Sequence, residues 1–349
     1  MTALLVLWAA GATAFTLIAW TRLGQRRSRF AGGPRPPVLL LRPADEPSPT
    51  EIACLAAPID YAPLEHIVLA PAPIDVPAAT WQPSQPTTPN RKVGHLLNAL
   101  RVRRDSPAVV LCVDADVAVD GALVAALAAA IRDGAALATA PPRPLAGTGP
   151  AARAVRGLLT ATHHDFRALD VMRAGASAAC GKAMALGPAA LALLPDVADR
   201  VGEDLELARR LHAIGERVIL VDTPAAMPQP PRLGLAAATA RFTRWLQVLR
   251  AHRPALWTTV PVLFTPTPLL LAAAAALGAP LLVVVAGALV ASRILLARRL
   301  APETGVLDWL LGETLLLAAF VRSVPARAVL WRGRVFRLAP GGRMRPDAA

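Results

Sequence analysis

One tyrosine and three cysteines stand among 349 residues, and aromatic residues make up only 4% of the chain. The cysteines, Cys54, Cys112 and Cys180, are far apart and odd in number, so they suggest neither a disulfide framework nor a zinc site. This fits a reducing, cytosolic domain, with Cys112 a small core residue inside an apolar run. No Lys/Arg array interleaved with aromatics occurs in the middle of the chain, which argues against a base-stacking surface. The formal net charge of +13 is therefore not read as nucleic-acid binding. Much of the excess flanks apolar segments instead: Arg22, Arg26, Arg27 and Arg29, then Arg293, Arg298 and Arg299, then Arg322, Arg327, Arg332, Arg334 and Arg337. Basic residues so placed mark the cytosolic side of a membrane and meet anionic headgroups.

The chain is 54% hydrophobic with a mean hydropathy of +0.45. The excess concentrates at 3–20, 256–296 and, in a shorter run, 306–321. Residues 3–20 lack the preceding basic region of a signal peptide, and the basic cluster follows them. They read as an uncleaved anchor with its N-terminus outside. The run from Leu256 to Leu296 is too long for one span of about 20 residues and is broken by Pro266, Pro268, Gly278 and Pro280. It reads as a hairpin of spans over 257–276 and 279–297. The segment 306–321 has basic clusters on both sides and Glu313 inside, which favours an interfacial helix. The expected organisation is an anchor (1–21), a cytosolic domain (36–250), a transmembrane hairpin (256–297), and an interfacial helix with a basic tail (305–349).

Within the middle domain, Gly32 to Pro37 reads as a linker. Apolar runs at 38–41, 67–70, 108–113, 136–140 and 218–221 read as buried strands. Helices are expected at 121–131, 151–175 and 203–214, with another ending near 98–104. Residues 71–90 and 141–150 read as loops. Strands alternating with helices predict an α/β fold with a mostly parallel sheet. Ligands gather at the carboxyl ends of such strands, where Asp114 and Asp116 stand.

Asp114-Ala115-Asp116 offers two hard oxygen ligands suited to Mg²⁺ or Mn²⁺. Glu203 and Asp204 open a helix; they suit plain capping or a general base. Arg241 and Arg244 share a helix face and can grip a diphosphate or form a juxtamembrane basic face, with Trp245 as an interfacial anchor. Asn90-Arg91-Lys92 places a cation near the same sheet edge or forms a surface turn. His163, His164 and Asp165 do not suit a shared metal site, because adjacent histidines on a helix point about 100° apart.

In their order, these motifs resemble processive-type family 2 glycosyltransferases and, more closely, the ceramide glucosyltransferase family and its bacterial hopanoid-biosynthesis branch. The resemblance rests on Leu41-Arg42-Pro43, Asp60-Tyr61-Ala62-Pro63, Asn90-Arg91-Lys92-Val93, Asp114-Ala115-Asp116, Gly202-Glu203-Asp204, Arg241-Phe242-Thr243-Arg244-Trp245 and Trp331 to Leu338. It implies a GT-A fold and inverting, metal-dependent hexosyl transfer from a UDP-sugar to a lipid hydroxyl, such as a ceramide or hopanoid, at the cytosolic face of the inner membrane. It also implies Asp204 as the base and Asp114 and Asp116 as metal ligands. Lys92, Asp114, Asp116, Arg241, Arg244 and Trp245 would bind the donor. The family usually places an Asp just after the second strand; here no carboxylate follows until Asp75, which leaves nucleotide-base selection open. The alternatives are a polysaccharide synthase, which usually needs more spans, and a non-catalytic glycosyltransferase-like scaffold. A transporter is disfavoured because no intramembrane charge pair or broken-helix repeat is apparent.

Overall fold

A computed structural model of the chain describes residues 1–25, 34–77, 79–103, 109–145, 147–172, 178–230, 232–326, 328–331 and 333–346, with the backbone alone for 22–25. Arg26, Arg27, Arg29, Gly32, Gly33, Arg104, Ala108, Arg327, Arg332, the side chain of Arg22 and the expected helix end at 173–175 lie outside the described residues.

The elements run α1 (Thr2–Gln25), β1 (Val38–Pro43), α2 (Pro49–Ala56), β2 (Leu64–Ala70), β3 (Thr80–Pro83), α3 (Arg91–Arg101), β4 (Val109–Val113) and α4 (Gly121–Arg132). Next come β5 (Leu137–Thr139), β6 (Pro142–Pro144), α5 (Gly149–Met172), β7 (Ala183–Leu186), α6 (Pro188–Leu193), α7 (Glu203–Ala213), β8 (Val218–Leu220), β9 (Ala225–Met227) and α8 (Leu235–His252). The chain ends with α9 (Pro254–Thr258), α10 (Pro266–Leu277), α11 (Pro280–Leu300), α12 (Val306–Ser323), β10 (Ala328–Trp331), β11 (Arg334–Leu338) and β12 (Met344–Pro346).

Seven strands form one sheet in the order β3-β2-β1-β4-β7-β5-β8. All neighbours pair in parallel except β7, which runs antiparallel to both β4 and β5. The alternation of strand side chains divides the core in two. Val38, Leu40, Val109, Leu111 and Val113 face α4, α5 and α8, whereas Leu39, Leu41, Val110 and Cys112 face α3, α6 and α7. The domain is thus a three-layer α/β structure with a mostly parallel sheet, and Cys112 is buried within it.

Seven strands, β3, β6, β7, β9, β10, β11 and β12, fall where loops or no strand were expected. β3 lies inside the Pro-rich segment 71–90 and β6 inside 141–150. Both hold prolines, which edge strands tolerate because an outward position needs no N–H. In β7 the sequence Ala-Met-Ala-Leu carries neither alternation nor β-branched residues.

Two helices, α1 and α11, are long and apolar enough to cross a membrane, and they pack together. The expected span at 257–276 is not one helix. It comprises α9, a π-helical turn at Val260–Phe264 and the 12-residue α10. Pro266 cannot donate to the carbonyl of Val262, and the Trp8 indole does so instead, at 2.7 Å. The N–H of Thr267 turns to Glu313, at 2.9 Å, and Arg293 Nη2 takes the carbonyl of Leu263, at 2.7 Å. Side chains thereby satisfy the freed backbone.

Helix α12 lies along α5 and α8. Two glycines make the α5–α12 approach possible. A Cβ at Gly157 would stand 1.8 Å from the carbonyl oxygen of Asp308, and one at Gly312 would stand 2.3 Å from the Leu158 nitrogen.

Candidate active site

Strand β4 delivers Asp114 and Asp116 to its carboxyl end, and a buried cation shapes the turn they occupy. Arg42, fully buried in β1, donates from Nη2 to the carbonyls of Asp114 (3.0 Å), Ala115 (3.2 Å) and Val117 (2.7 Å). Nη2 has two N–H groups, so the three carbonyls share them, and each full bond to a charged donor contributes about 1.5–3 kcal/mol. The backbone is therefore fixed from below while both carboxylates stay partly open to a cavity of about 570 Å³.

The consecutive residues Asn90, Arg91 and Lys92 do three different jobs. Asn90 caps α3 by accepting from the N–H of Val93, and its amide donates to the Arg200 carbonyl (2.7 Å) and to Glu203 (3.1 Å). Arg91 grips Asp45, in the loop after β1, and His95 meets the same carboxylate at 3.0 Å. Lys92 reaches Asp114 and Glu203, both at 2.9 Å. Burial raises the Asp114 carboxyl, but Lys92 and Lys182 outweigh it and hold the group well below the usual carboxylate range.

Lys182 is the residue that sequence reasoning missed. Its Nζ lies 2.8 Å from both oxygens of Asp116 and 3.0 Å from Asp114. Strand pairing explains the position: the N–H of Asp114 donates to the carbonyl of Lys182 (3.0 Å), which sits just before the antiparallel β7. A signal existed in the composition. Of the 37 basic residues only two, Lys92 and Lys182, are lysines, and both touch Asp114.

Helix α7 begins at Gly202, whose φ of +75° is left-handed. A Cβ there would also stand 2.6 Å from Val248 Cγ1, so the turn requires glycine twice over. Its three acidic residues have separate fates. Glu206 is consumed by Arg209 and Arg210, and Glu203 by Lys92 and Asn90. No ion pair engages Asp204 among the described residues. Burial and then the neighbouring Glu203 push its carboxyl up to about 6, against weaker opposition from Lys92 and from backbone hydrogen bonds at Leu205 and Gly181. A carboxyl so poised, open to the cavity, has the properties of a general base.

On α8, Arg241 reaches Asp116 at 3.4 Å and lies over the Trp245 ring, 5.5 Å from its centroid. Arg244 lies over Trp331 of β10 at 5.2 Å. Lys92, Asp114, Asp116, Asp204, Arg241, Arg244 and Trp245 all line the same cavity. Asp75 is exposed, and the carboxylates after β1, Asp45 and Glu46, line the cavity instead. His163 and His164 are buried; His163 Nδ1 is 3.2 Å from the carbonyl of Pro142. Burial, and then Arg167, lowers the His164 imidazole to about 3. Both are packing residues.

No curated protein sequence matches the chain. Among solved structures it is similar to the mannosyltransferase PcManGT from Pyrobaculum calidifontis, in complex with GDP-Man and Mn²⁺, at 20% identity and a TM-score of 0.47, over 92% of this chain and 99% of that one. It is also similar to a mycobacterial protein at 16% identity and a TM-score of 0.34, over 68% of this chain and 77% of that one. The model of glycosyl transferase family 21 matches residues 73–344. By that match, spanning most of its length and every motif of the cavity from Lys92 to Trp331, the chain belongs to glycosyl transferase family 21.

Proposed function

We propose that the protein is a membrane-bound, inverting GT-A glycosyltransferase that moves a hexosyl group from a UDP-sugar to a lipid hydroxyl at the cytosolic face of the plasma membrane. The observation that carries this reading is the two-ended cavity. Its charged end holds Asp114, Asp116, Lys92, Lys182 and Arg241, and its other end is walled by apolar side chains of α5, α8 and α12. A diphosphate suits the first and an alkyl chain the second. Helices α1 and α11 support residence at a membrane.

Asp204 takes the proton of the acceptor hydroxyl. The oxygen attacks the anomeric carbon from the face opposite the nucleotide, the bond to the diphosphate breaks, and the configuration inverts. Lys92, Lys182 and Arg241 neutralise the departing diphosphate, and Arg244 and Trp245 close over the donor.

The donor set fits a divalent ion. Asp114 and Asp116 supply hard oxygens on one turn, open to the cavity, and Mg²⁺ or Mn²⁺ is commonly held by one or two carboxylates plus substrate phosphates. No group of three or more His, Cys, Asp or Glu side chains converges among the described residues, so the remaining positions fall to phosphate and water. When bound, such an ion would add Lewis-acid stabilisation of the leaving diphosphate.

The test is nucleotide diphosphate release by the detergent-purified protein. UDP-glucose, UDP-N-acetylglucosamine and UDP-galactose are supplied with Mg²⁺ or Mn²⁺, with and without extracted bacterial lipids. Release that lipids stimulate and Asp204→Asn abolishes is the expected result. Folded protein that releases nothing from any donor, or ignores the lipids, overturns the reading.

A further inference from the structure

The apolar end of the cavity contains one charged residue that the proposed chemistry leaves unused. On α5, Leu158, Thr162, Asp165 and Leu169 follow one another at helical spacing and all line the chamber. Thr162 is satisfied by the carbonyl of Leu158 at 2.9 Å. Asp165 stands where the stripe calls for an apolar side chain. Phe166, Leu246, Phe264 and Leu316 complete the surrounding wall.

Asp165 opens into the chamber, and no hydrogen bond or ion pair engages it among the described residues. The charged groups that act on it are Arg293 of α11 and Glu313 of α12. Those two are already committed. They pair with each other; Arg293 also meets Thr16, Thr267 and the carbonyl of Leu263, and Glu313 also meets Thr267 and Trp309. None of the cations at the charged end contributes to its environment. Burial therefore pushes the Asp165 carboxyl well above the usual range. A desolvated polar group without a partner costs on the order of 1–3 kcal/mol, so the fold gains no stability from it. A carboxyl in an apolar chamber accepts from a hydroxyl or an amide N–H, and in its protonated form also donates, which suits a vicinal diol or a hydroxy-amide.

We infer that Asp165 positions the acceptor: it hydrogen-bonds a second polar group of the lipid headgroup, a hydroxyl or an amide N–H, while the alkyl part fills the chamber and the reacting hydroxyl faces Asp204. The inference rests on the lipid-acceptor reading above and narrows it. The acceptor class becomes lipids whose headgroup carries a hydrogen-bonding group beside the reacting hydroxyl, because a site built to hydrogen-bond discriminates strongly against an analogue lacking that group.

The experiment compares the wild-type protein with Asp165→Leu and Asp165→Asn, each checked for folding by its melting curve. Nucleotide release is followed against the concentration of extracted bacterial lipids, and donor hydrolysis is followed without lipid. Hexadecanol and the corresponding vicinal diol are added as competitors. Asp165→Leu is expected to raise the half-saturating lipid concentration at least about tenfold, equivalent to about 1.4 kcal/mol, with donor KM and lipid-free hydrolysis unchanged. Asp165→Asn should stay within a few-fold of wild type. The diol should outcompete the alcohol on wild type but not on Asp165→Leu. A Leu variant with wild-type lipid saturation and the same preference for the diol overturns the Asp165 role and leaves the lipid reading standing. Lipids that fail to stimulate the wild-type protein overturn the lipid reading itself, and the Asp165 role with it.

Discussion

Both carboxylate oxygens of Asp116 lie 2.8 Å from the ammonium of Lys182. The ammonium therefore uses the same oxygens that a divalent ion would take, and removing it has two opposite consequences. Lys182→Gln is expected to raise donor KM about tenfold, through loss of a cation at the diphosphate. It should also lower the Mn²⁺ concentration needed for half-maximal donor binding, because the ion no longer competes with an ammonium. Calorimetric titration of Mn²⁺ into each protein checks the second effect without turnover. Unchanged Mn²⁺ affinity refutes the competition.

Asp204 carries its own pH signature. With the folded carboxyl near 6 against an ordinary 3.8, turnover should rise with pH and level off above about 6, as the base loses its proton. Asp204→Asn should cost roughly 10²–10⁴-fold in kcat while donor binding persists. The stability sign is opposite to the functional one. A carboxyl with a raised folded pKa stabilises fully only below its unfolded value and loses that contribution as pH climbs through 6. Asp204→Asn should therefore raise the apparent Tm at pH 8, corresponding to about 3 kcal/mol of stability, and leave it nearly unchanged near pH 4. A variant that melts earlier at pH 8 contradicts the assignment of a strained, unpaired carboxyl.

Arg42 tests whether the turn under Asp114 must be held. Arg42→Met removes the shared donor of three carbonyls; that of Asp114 keeps the N–H of Val117, and those of Ala115 and Val117 are left unsatisfied at about 1–3 kcal/mol each. A lower Tm together with weaker donor binding is expected. Weaker donor binding with no loss of Tm would instead point to a direct role in the charged end.

The contact between α5 and α12 should tolerate no side chain. Gly312→Val places its Cβ against the α5 backbone, which cannot yield as a flexible side chain would. We expect destabilisation by more than about 3 kcal/mol and loss of lipid-stimulated release before loss of donor hydrolysis. A variant with wild-type Tm would refute the close approach.

Much of this arrangement was legible in the chain. The runs of β1, β2 and β4 are continuous and apolar because the sheet buries both their faces, and Asp114 and Asp116 follow the last of them directly. The helices bearing Asp204 and Arg241 announce themselves by amphipathic spacing. Lys182 does not, because its meaning comes from an antiparallel strand pairing across more than sixty residues. In the sequence Asp165 stands out only as the neighbour of His163 and His164, since the other walls of its chamber come from α8 and α12, distant in sequence. The break in the 257–276 span was foreshadowed by its prolines, whereas the partners that satisfy it, Trp8 and Arg293, come from opposite ends of the chain.

Helix α12 and Trp331 belong to the last stretch of the chain, yet they wall the cavity that Asp114 and Asp204 serve. Lys92, Asp114, Asp116, Lys182 and Arg241 are all synthesised before α12, the side that the apolar end then still lacks. On the proposed function, until the ribosome has passed β10 the nascent protein carries the groups for a nucleotide sugar but not the closed chamber for the molecule that receives the sugar.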